Sequence, residues 1–350
     1  MKIGITPLIA ENFAPSNVLG LAIFNGDTKI CDVDISKMRL PTLGEKLYSF
    51  GIVSDLHFHR TSASWNPDGK FDNALTYFER MGCAFCTHAG DTTQTGFFVE
   101  GDTVNLAPEQ FARYKAVRDK HSIPVYGICG NHESYVNPIT NNLTELKAYT
   151  GTDLYYSVAQ GNDLYIFLGQ PQGNKPMSDE ALQWLYSTLE TNRNKRCFIF
   201  VHPDISSGNP LGAYTSNRLF NNWGTKTTAF TNLLKHYKNI ILFHGHSHFM
   251  FECQALDNTA NYTDIDGFKS VHTPSLSRPC DIIDGVRTSQ DDKSYGYLVD
   301  VYTNHIILKG YDFIANDIVP IAQYCIDTRL VDVPANTFTD STGFININQQ

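Results

Sequence analysis

The sequence predicts an α/β fold with a second sheet packed on the first. Between residues 47 and about 313, short apolar runs alternate with segments of helical periodicity, which is the pattern of α/β domains. After His248 the apolar runs become shorter and are joined by turn-rich loops, which predicts the second sheet. With 350 residues, of which 42% are hydrophobic, the chain can bury a sizeable core.

The elements follow from the spacing of apolar residues along the chain. Five brief apolar runs have the composition of buried strands, namely residues 47–53, 84–89, 125–129, 197–201 and 240–243. Between and after them, apolar residues share one helix face in four segments, namely 71–81, 111–117, 182–189 and 230–237. Ser178 is the predicted N-cap of the third helix. Shorter strands are predicted at residues 249–255, 270–272, 295–301 and 305–311.

Both ends of the chain are predicted to be small β-rich extensions of a central domain. Residues 1–45 carry Pro, Gly and Asn around short apolar runs, and Asn, Thr and Asp dominate the end of residues 316–350. The domain that would hold the function is therefore assigned to residues 46–315.

The composition narrows the classes of function. A formal net charge of -9 works against a broad nucleic-acid-binding surface, because phosphate backbones are held chiefly by Lys and Arg. The charge does not exclude a local basic groove. No long uncharged apolar run predicts a membrane span, and Pro7 and Glu11 interrupt the N-terminal apolar stretch that a secretory signal would need. The 8 cysteines are scattered along the chain, which fits a reducing compartment. We therefore expect a cytoplasmic protein, with export by an unrecognised route left open.

Short polar segments follow the five predicted strands that precede residue 248. They are Asp55-Leu56-His57, Gly90-Asp91, Gly130-Asn131-His132-Glu133, His202 and Gly245-His246-Ser247-His248. Ligands of α/β sheets gather at the carboxyl ends of strands, so these side chains are expected to converge in one crevice. Asp55 and His57 are two residues apart and would face the same side of an extended segment, and His246 and His248 repeat that geometry. Carboxylate, amide and imidazole groups together suit a pair of divalent first-row metals.

In their order, the motifs D-x-H, G-D, G-N-H-E, a single H and G-H-x-H resemble those of the calcineurin-like metallophosphoesterase superfamily. The resemblance covers residues 47 to 313 and implies a four-layer fold, a two-sheet β-sandwich flanked by helices, with a binuclear metal centre at one edge. It also implies the ligands: Asp55, His57 and His248 for the first metal, Asn131, His202 and His246 for the second, and Asp91 between them.

The same resemblance implies a mechanism. A hydroxide shared by the two metals would attack phosphorus, and His132 would protonate the leaving oxygen. Glu133 is expected to accept a hydrogen bond from a neighbouring imidazole, as partners of metal-binding histidines do. The metal could be manganese, iron, zinc, nickel or cobalt.

Other polar residues carry weaker signals. Structural roles are expected for a set of single histidines, namely His88, His121, His236, His272 and His305, and are also favoured for His59 and His244. The loop after His202 would overhang the site, and its Ser206, Asn209 and Arg218 are candidate substrate contacts. Arg278 could reach a phosphate or tie down a loop, and the second interpretation is favoured.

The function expected from these patterns is a metal-dependent phosphodiesterase or phosphatase acting on a small, nucleotide-like phosphoester. Gln94 stands where purple acid phosphatases carry a Tyr, and residues 90–96 depart from the G-D-x-V-D-R-G block of protein phosphatases. A nuclease and a non-catalytic scaffold with the same fold stay as alternatives. The natural substrate and the oligomeric state are left open.

Overall fold

A computed structural model of the chain describes residues 21–25, 28–33, 43–59, 64–94, 107–133, 143–170, 177–203, 225–253, 261–265 and 267–348. Its centre is two six-stranded sheets. Two antiparallel hairpins lie outside these sheets and are formed by β1 (Leu21–Asn25) with β2 (Thr28–Val33) and by β12 (Cys280–Ile283) with β13 (Val286–Ser289).

The first sheet contains the strands β3 (Lys46–Val53), β4 (Cys86–His88), β5 (Val125–Gly127), β14 (Tyr295–Tyr302), β15 (His305–Asp312) and β16 (Asp317–Asp327). Their order across the sheet is β16-β15-β14-β3-β4-β5. β3, β4 and β5 run parallel, whereas β14, β15 and β16 form an antiparallel meander on β3.

The second sheet contains the strands β6 (Tyr155–Gln160), β7 (Asp163–Leu168), β8 (Cys197–Val201), β9 (Ile240–His244), β10 (Tyr262–Ile265) and β11 (Phe268–His272). Their order is β10-β11-β9-β8-β7-β6, with the four central strands parallel and the two edge strands antiparallel. The sequence analysis did not predict β6 and β7. The turn between them is formed by Gly161, which has a φ of 58°, and Asn162. A Gly-Asn pair between two strand-like runs is a sequence signal for a β-hairpin, so these strands could have been predicted.

Helices cover the outer faces of both sheets. They are α1 (Pro67–Arg80), α2 (Ala107–Arg118), α3 (Leu143–Thr150), α4 (Asp179–Thr191) and α5 (Thr225–Tyr237). The predicted cap is confirmed, because the Ser178 side chain accepts a hydrogen bond from Ala181 N at 3.1 Å. α3 was not predicted, and its 8 residues are too few to show a clear periodicity.

Strand periodicity divides the apolar core into layers. In β8, Phe198 and Phe200 pack between the sheets, whereas Cys197, Ile199 and Val201 pack against α4 and α5. A third cluster joins β3 and β4 to α1 and α2. The predicted two-sheet sandwich flanked by helices is therefore confirmed.

The C-terminal residues are packed into this framework. β16 lies within the segment assigned to a C-terminal extension, yet it pairs with β15 at the edge of the first sheet. Val333, Phe338 and Ile345 join the cluster of α4 and α5. The sequence does not indicate this packing, because the three apolar residues are spaced too widely to form a periodic pattern and lie among residues typical of turns.

Within the described residues, no helix is long and apolar enough to cross a membrane.

Candidate metal centre

The five motifs meet at one end of the sandwich. Asp55 and His57 follow β3, Asp91 follows β4, Asn131 follows β5, His202 follows β8, and His246 and His248 follow β9. The first sheet supplies the first four of these residues and the second sheet the last three. Since the parallel strands of each sheet end there, both sheets present side chains to the same crevice.

The side chains form two groups that share Asp91. In one group, Nε2 of His248 lies 3.1 Å from Oδ1 of Asp55 and 2.9 Å from Nε2 of His57. Oδ2 of Asp91 lies 3.9 Å from Nε2 of His57.

The second group is built around His202, whose Nε2 lies 3.1 Å from Oδ2 of Asp91. It also lies 3.0 Å from Oδ1 of Asn131 and 3.0 Å from Nδ1 of His246. The structure thus brings together all seven residues that the sequence analysis proposed as ligands.

Each of the two carboxylates has one oxygen held by the protein and one left for a cation. Oδ2 of Asp55 accepts hydrogen bonds from Ser54 Oγ at 2.6 Å and from His246 N at 2.9 Å. Oδ1 of Asp91 accepts one from His132 N at 2.9 Å. The other oxygens, Asp55 Oδ1 and Asp91 Oδ2, are buried and accept no hydrogen bond from the described residues. Buried carboxylate oxygens are costly without a partner, so they fit metal ligands.

The imidazoles also present lone pairs to the centre. Nδ1 of His202 lies 2.7 Å from Ala89 O, and Nδ1 of His248 lies 3.1 Å from Arg278 O. Because a carbonyl oxygen only accepts, each Nδ1 carries a proton, and each Nε2 is the nitrogen that offers a lone pair to a cation when the ring is neutral. Donors arranged in this way fit divalent cations.

Burial and neighbouring charges set the protonation of the centre. Burial, together with the nearby imidazoles, lowers the pKa of His57 well below its usual value and that of His246 to about 3. Burial lowers the pKa of His202 as well, but the Asp91 carboxylate outweighs it and raises that pKa to about 9. Burial would raise the pKa of Asp55, yet the facing His248 lowers it overall. The site is thus set up for ionised carboxylates.

The backbone at the ligands is left-handed and not extended. The φ angles are 52° at Asp55, 50° at His57, 50° at Asp91, 70° at His246 and 62° at His248. The expectation that each D-x-H or H-x-H pair lies in an extended segment is therefore wrong, although the side chains converge. Such angles are unfavourable for residues with a Cβ, and they persist where surrounding structure enforces them.

Two motif glycines allow the loops to approach the carboxylates. A Cβ at Gly130 would lie 2.1 Å from Oδ1 of Asp91, and one at Gly245 would lie 1.8 Å from Oγ of Ser54. Both distances are far below van der Waals contact, so any side chain there would displace a ligand.

His132 lies beside the ligands but differs from them in exposure. Its Nε2 is 3.9 Å from Oδ2 of Asp91, and its side chain is 25% exposed, against 1% for His57. Its Nδ1 donates a hydrogen bond to Gln94 O. The ring is thus oriented with Nε2 on the side of the centre.

Among the described residues, no imidazole donates a hydrogen bond to Glu133. Oε1 accepts hydrogen bonds from Thr93 N at 2.6 Å and Thr93 Oγ1 at 2.9 Å, and Oε2 accepts one from Gly130 N at 2.7 Å. The prediction for Glu133 is therefore wrong: its carboxylate joins the loops that carry Asp91 and Asn131. Burial, with the Asp91 charge, raises its pKa to about 7.

Other candidates lie apart from the ligands or outside the described residues. His244 is buried against His272, with ring centroids 5.5 Å apart, and His59 lies beside Trp65 at 5.9 Å. Ser206, Asn209 and Arg218 lie outside the described residues.

The sequence analysis missed three serines that support Asp55. Ser54 holds its carboxylate, and Ser275 and Ser277 donate to its carbonyl oxygen at 3.0 and 3.1 Å. Only Ser54 has a sequence signal, which is its position beside the motif.

The chain matches the calcineurin-like phosphoesterase family over residues 48–250 and belongs to it. It is therefore a hydrolase of phosphoester bonds, and its clustered ligands support a centre for two divalent metals. No curated protein sequence matches the chain.

Solved structures of low sequence identity share the fold. A dimetal phosphatase from Danio rerio is 14% identical, with a TM-score of 0.57, and the match covers 81% of this chain and 100% of the other. A purple acid phosphatase from yellow lupin is 14% identical, with a TM-score of 0.54 and coverage of 81% and 54%. GAP50, described as the anchor in the inner membrane complex of Plasmodium, is 11% identical, with a TM-score of 0.55 and coverage of 86% and 92%. At these identities the likeness supports the fold alone.

Proposed function

We propose that this protein is a metal-dependent phosphodiesterase or phosphatase acting on a small, nucleotide-like phosphoester. The observation that carries the proposal is the pair of buried carboxylate oxygens, Asp55 Oδ1 and Asp91 Oδ2, that accept no hydrogen bond from the described residues and face imidazole nitrogens. Groups of this kind are costly in a protein interior and become favourable around cations.

Seven side chains would hold the metals. Asp55, His57 and His248 would bind one ion, Asn131, His202 and His246 would bind the other, and Asp91 would be shared. When bound, two divalent ions lower the pKa of a coordinated water and neutralise charge on phosphoryl oxygens. The chain itself supplies their spacing, through loops that the two sheets hold in place.

His132 is proposed to transfer a proton to the leaving oxygen. Two observations support this role: the side chain is partly exposed, and its Nε2 lies 3.9 Å from Oδ2 of Asp91. The hydrogen bond from Nδ1 to Gln94 O orients the imidazole, so that only Nε2 faces the reacting group.

A small substrate fits the charge of the protein better than a nucleic acid does. The net charge of -9 gives no broad attraction for a phosphate backbone, whereas a single phosphoryl group needs only the centre itself.

The proposal is tested with protein loaded separately with manganese, iron, zinc, nickel or cobalt. Metal content is measured first, with two ions per chain expected from the seven side chains of the centre. Hydrolysis of bis-p-nitrophenyl phosphate, p-nitrophenyl phosphate and cyclic nucleotides then gives the preferred class of ester, with single-stranded and double-stranded DNA as the comparison. The proposal fails if protein with a full metal complement hydrolyses none of the small esters, or prefers DNA over all of them.

A further inference from the structure

A stacked arginine lies at the rim of the metal centre. The guanidinium of Arg278 lies over the indole of Trp65, with 4.7 Å from Cζ to the ring centroid. Both side chains are half-buried, whereas Asp55 and His57 are fully buried. The stacked pair is therefore closer to solvent than these two ligands.

Both members of the pair are attached to metal-site residues. Trp65 donates a hydrogen bond from Nε1 to the carbonyl oxygen of His57 at 3.2 Å. The carbonyl oxygen of Arg278 accepts one from Nδ1 of His248 at 3.1 Å. His57 and His248 belong to the same ligand group, so the guanidinium is placed beside that half of the centre.

The loop that carries Arg278 is tied down by other side chains. Ser275 Oγ and Ser277 Oγ donate to the carbonyl oxygen of Asp55, and Lys70 Nζ donates to the carbonyl oxygen of Ser277 at 2.8 Å. Among the described residues, the guanidinium of Arg278 has no hydrogen bond or ion pair of its own. The stacking on Trp65 joins the loop of Arg278 to the segment after His57, which agrees with the interpretation favoured from the sequence, and it leaves the N–H groups of the guanidinium for a further role.

We propose that Arg278 binds a nonbridging oxygen of the substrate's phosphoryl group from the side of His57 and His248, with Trp65 holding the guanidinium plane. This rests on the proposed function. The guanidinium presents up to five N–H donors in a planar fork that matches two phosphoryl oxygens, and stacking on an aromatic face leaves its edge free to donate. A positive charge there adds to the attraction of the centre for an anionic ester.

The test compares Arg278→Gln with the matched control Arg80→Gln. Arg80 is also stacked on an aromatic ring, that of Tyr77 at 5.4 Å, but it lies at the C-terminal end of α1, far from the ligand loops. Arg278→Gln should raise KM for p-nitrophenyl phosphate and bis-p-nitrophenyl phosphate about tenfold or more, because a charge-assisted hydrogen bond is lost. The kcat should change by less than about threefold, since the contact exists in both ground state and transition state.

Inorganic phosphate is the second probe. Its inhibition constant should rise in Arg278→Gln by the same factor as KM. In Arg278→Lys the inhibition constant should lie between those of the original protein and of Arg278→Gln, because lysine keeps the charge but lacks the planar set of N–H donors. Arg80→Gln should keep both constants, and the metal content and thermal midpoint of all variants should match those of the original protein.

The outcomes separate this inference from the proposed function. Unchanged KM and phosphate inhibition in Arg278→Gln overturn the inference while hydrolysis stands, and so does a lowered thermal midpoint without a kinetic effect. If the original metal-loaded protein hydrolyses no ester, the proposed function fails. In that case calorimetry compares the affinity of the original protein and of Arg278→Gln for inorganic phosphate. Equal affinities overturn the proposed role of Arg278.

Discussion

Strand β8 and the loop after β9 lie side by side, and both are buried, but in different ways. In β8, Phe198, Ile199 and Phe200 have an ordinary extended backbone and fill the layers on each side of the sheet. In the neighbouring loop, His246 and His248 have left-handed φ angles and aim ring nitrogens at other polar groups.

The difference shows how stability and function are divided in this protein. Strands such as β8 stabilise the folded state by burying apolar area. The ligand loops, in contrast, contain backbone conformations and buried charges that are unfavourable by themselves. The sheets therefore maintain a site that the loops alone would not keep. Four substitutions would break or sharpen this comparison.

The largest effect is expected from Asp91→Asn in the ligand loops. Asp91 belongs to both ligand groups, so hydrolysis should fall by at least about 10³-fold as both metals lose their shared ligand. The metal-free protein should unfold at a lower temperature, because His202 loses the carboxylate that raises its pKa in the folded state. Kinetics with measured metal content and thermal unfolding check both parts. Asp119→Asn, at an exposed carboxylate just after the last turn of α2, is the control. An active Asp91→Asn protein with two ions per chain would contradict the assignment.

A different pattern is expected from Phe200→Ala in β8. Phe200 is 0% exposed and stacks on Phe167 at 4.9 Å and on Phe243 at 5.3 Å. Its loss should lower the free energy of unfolding by about 3–5 kcal/mol, while the folded fraction keeps its kcat. Denaturant titration measures this, with Val286→Ala, at a side chain 63% exposed, as the control. A loss of kcat without a loss of stability would show that the core shapes the site directly.

His132→Ala should affect the chemical step alone. A lost proton donor should reduce kcat at least about 10²-fold for esters with a poor leaving group, and less for p-nitrophenyl esters, whose leaving group needs little protonation. Metal content should stay the same, because His132 lies outside both ligand groups. An equal effect on all leaving groups would exclude the proposed proton transfer.

The smallest effect is expected at the start of α4, outside the ligand loops. Ser178→Ala removes the side-chain acceptor for Ala181 N and should cost about 1 kcal/mol of stability with no change in kcat. Ser187→Ala, within the same helix, is the matched control and should be close to neutral, since Ser187 only donates back to Gln183 O. Equal destabilisation by both changes would mean that capping is not the cause.

Prediction from the sequence succeeded where neighbouring residues in the chain are enough to determine the local structure. The apolar run of residues 197–201 has to be a buried strand, since neither of its faces offers a polar side chain to solvent. The motifs at Asp55, Asp91 and His202 follow such runs, so their position at the strand ends could also be predicted.

Prediction failed where distant segments meet. Nothing near Glu133 in the sequence indicates that Thr93, 40 residues away, would supply two donors to its carboxylate. Arg278 and Trp65 likewise show no joint pattern, because their stacking depends on two loops that different strands deliver to the same rim.

The sequence by itself determined the five buried strands that precede the ligand motifs, the order of those motifs and the donor types, because hydrophobic periodicity and side-chain chemistry are local properties. The tertiary structure alone decided which carboxylate oxygens accept no hydrogen bond from the described residues, which imidazole nitrogens face the centre, and which arginine stacks on Trp65 at its rim. Those features arise from contacts between residues far apart in the chain, such as Asp55 with His246 and His248 with Arg278.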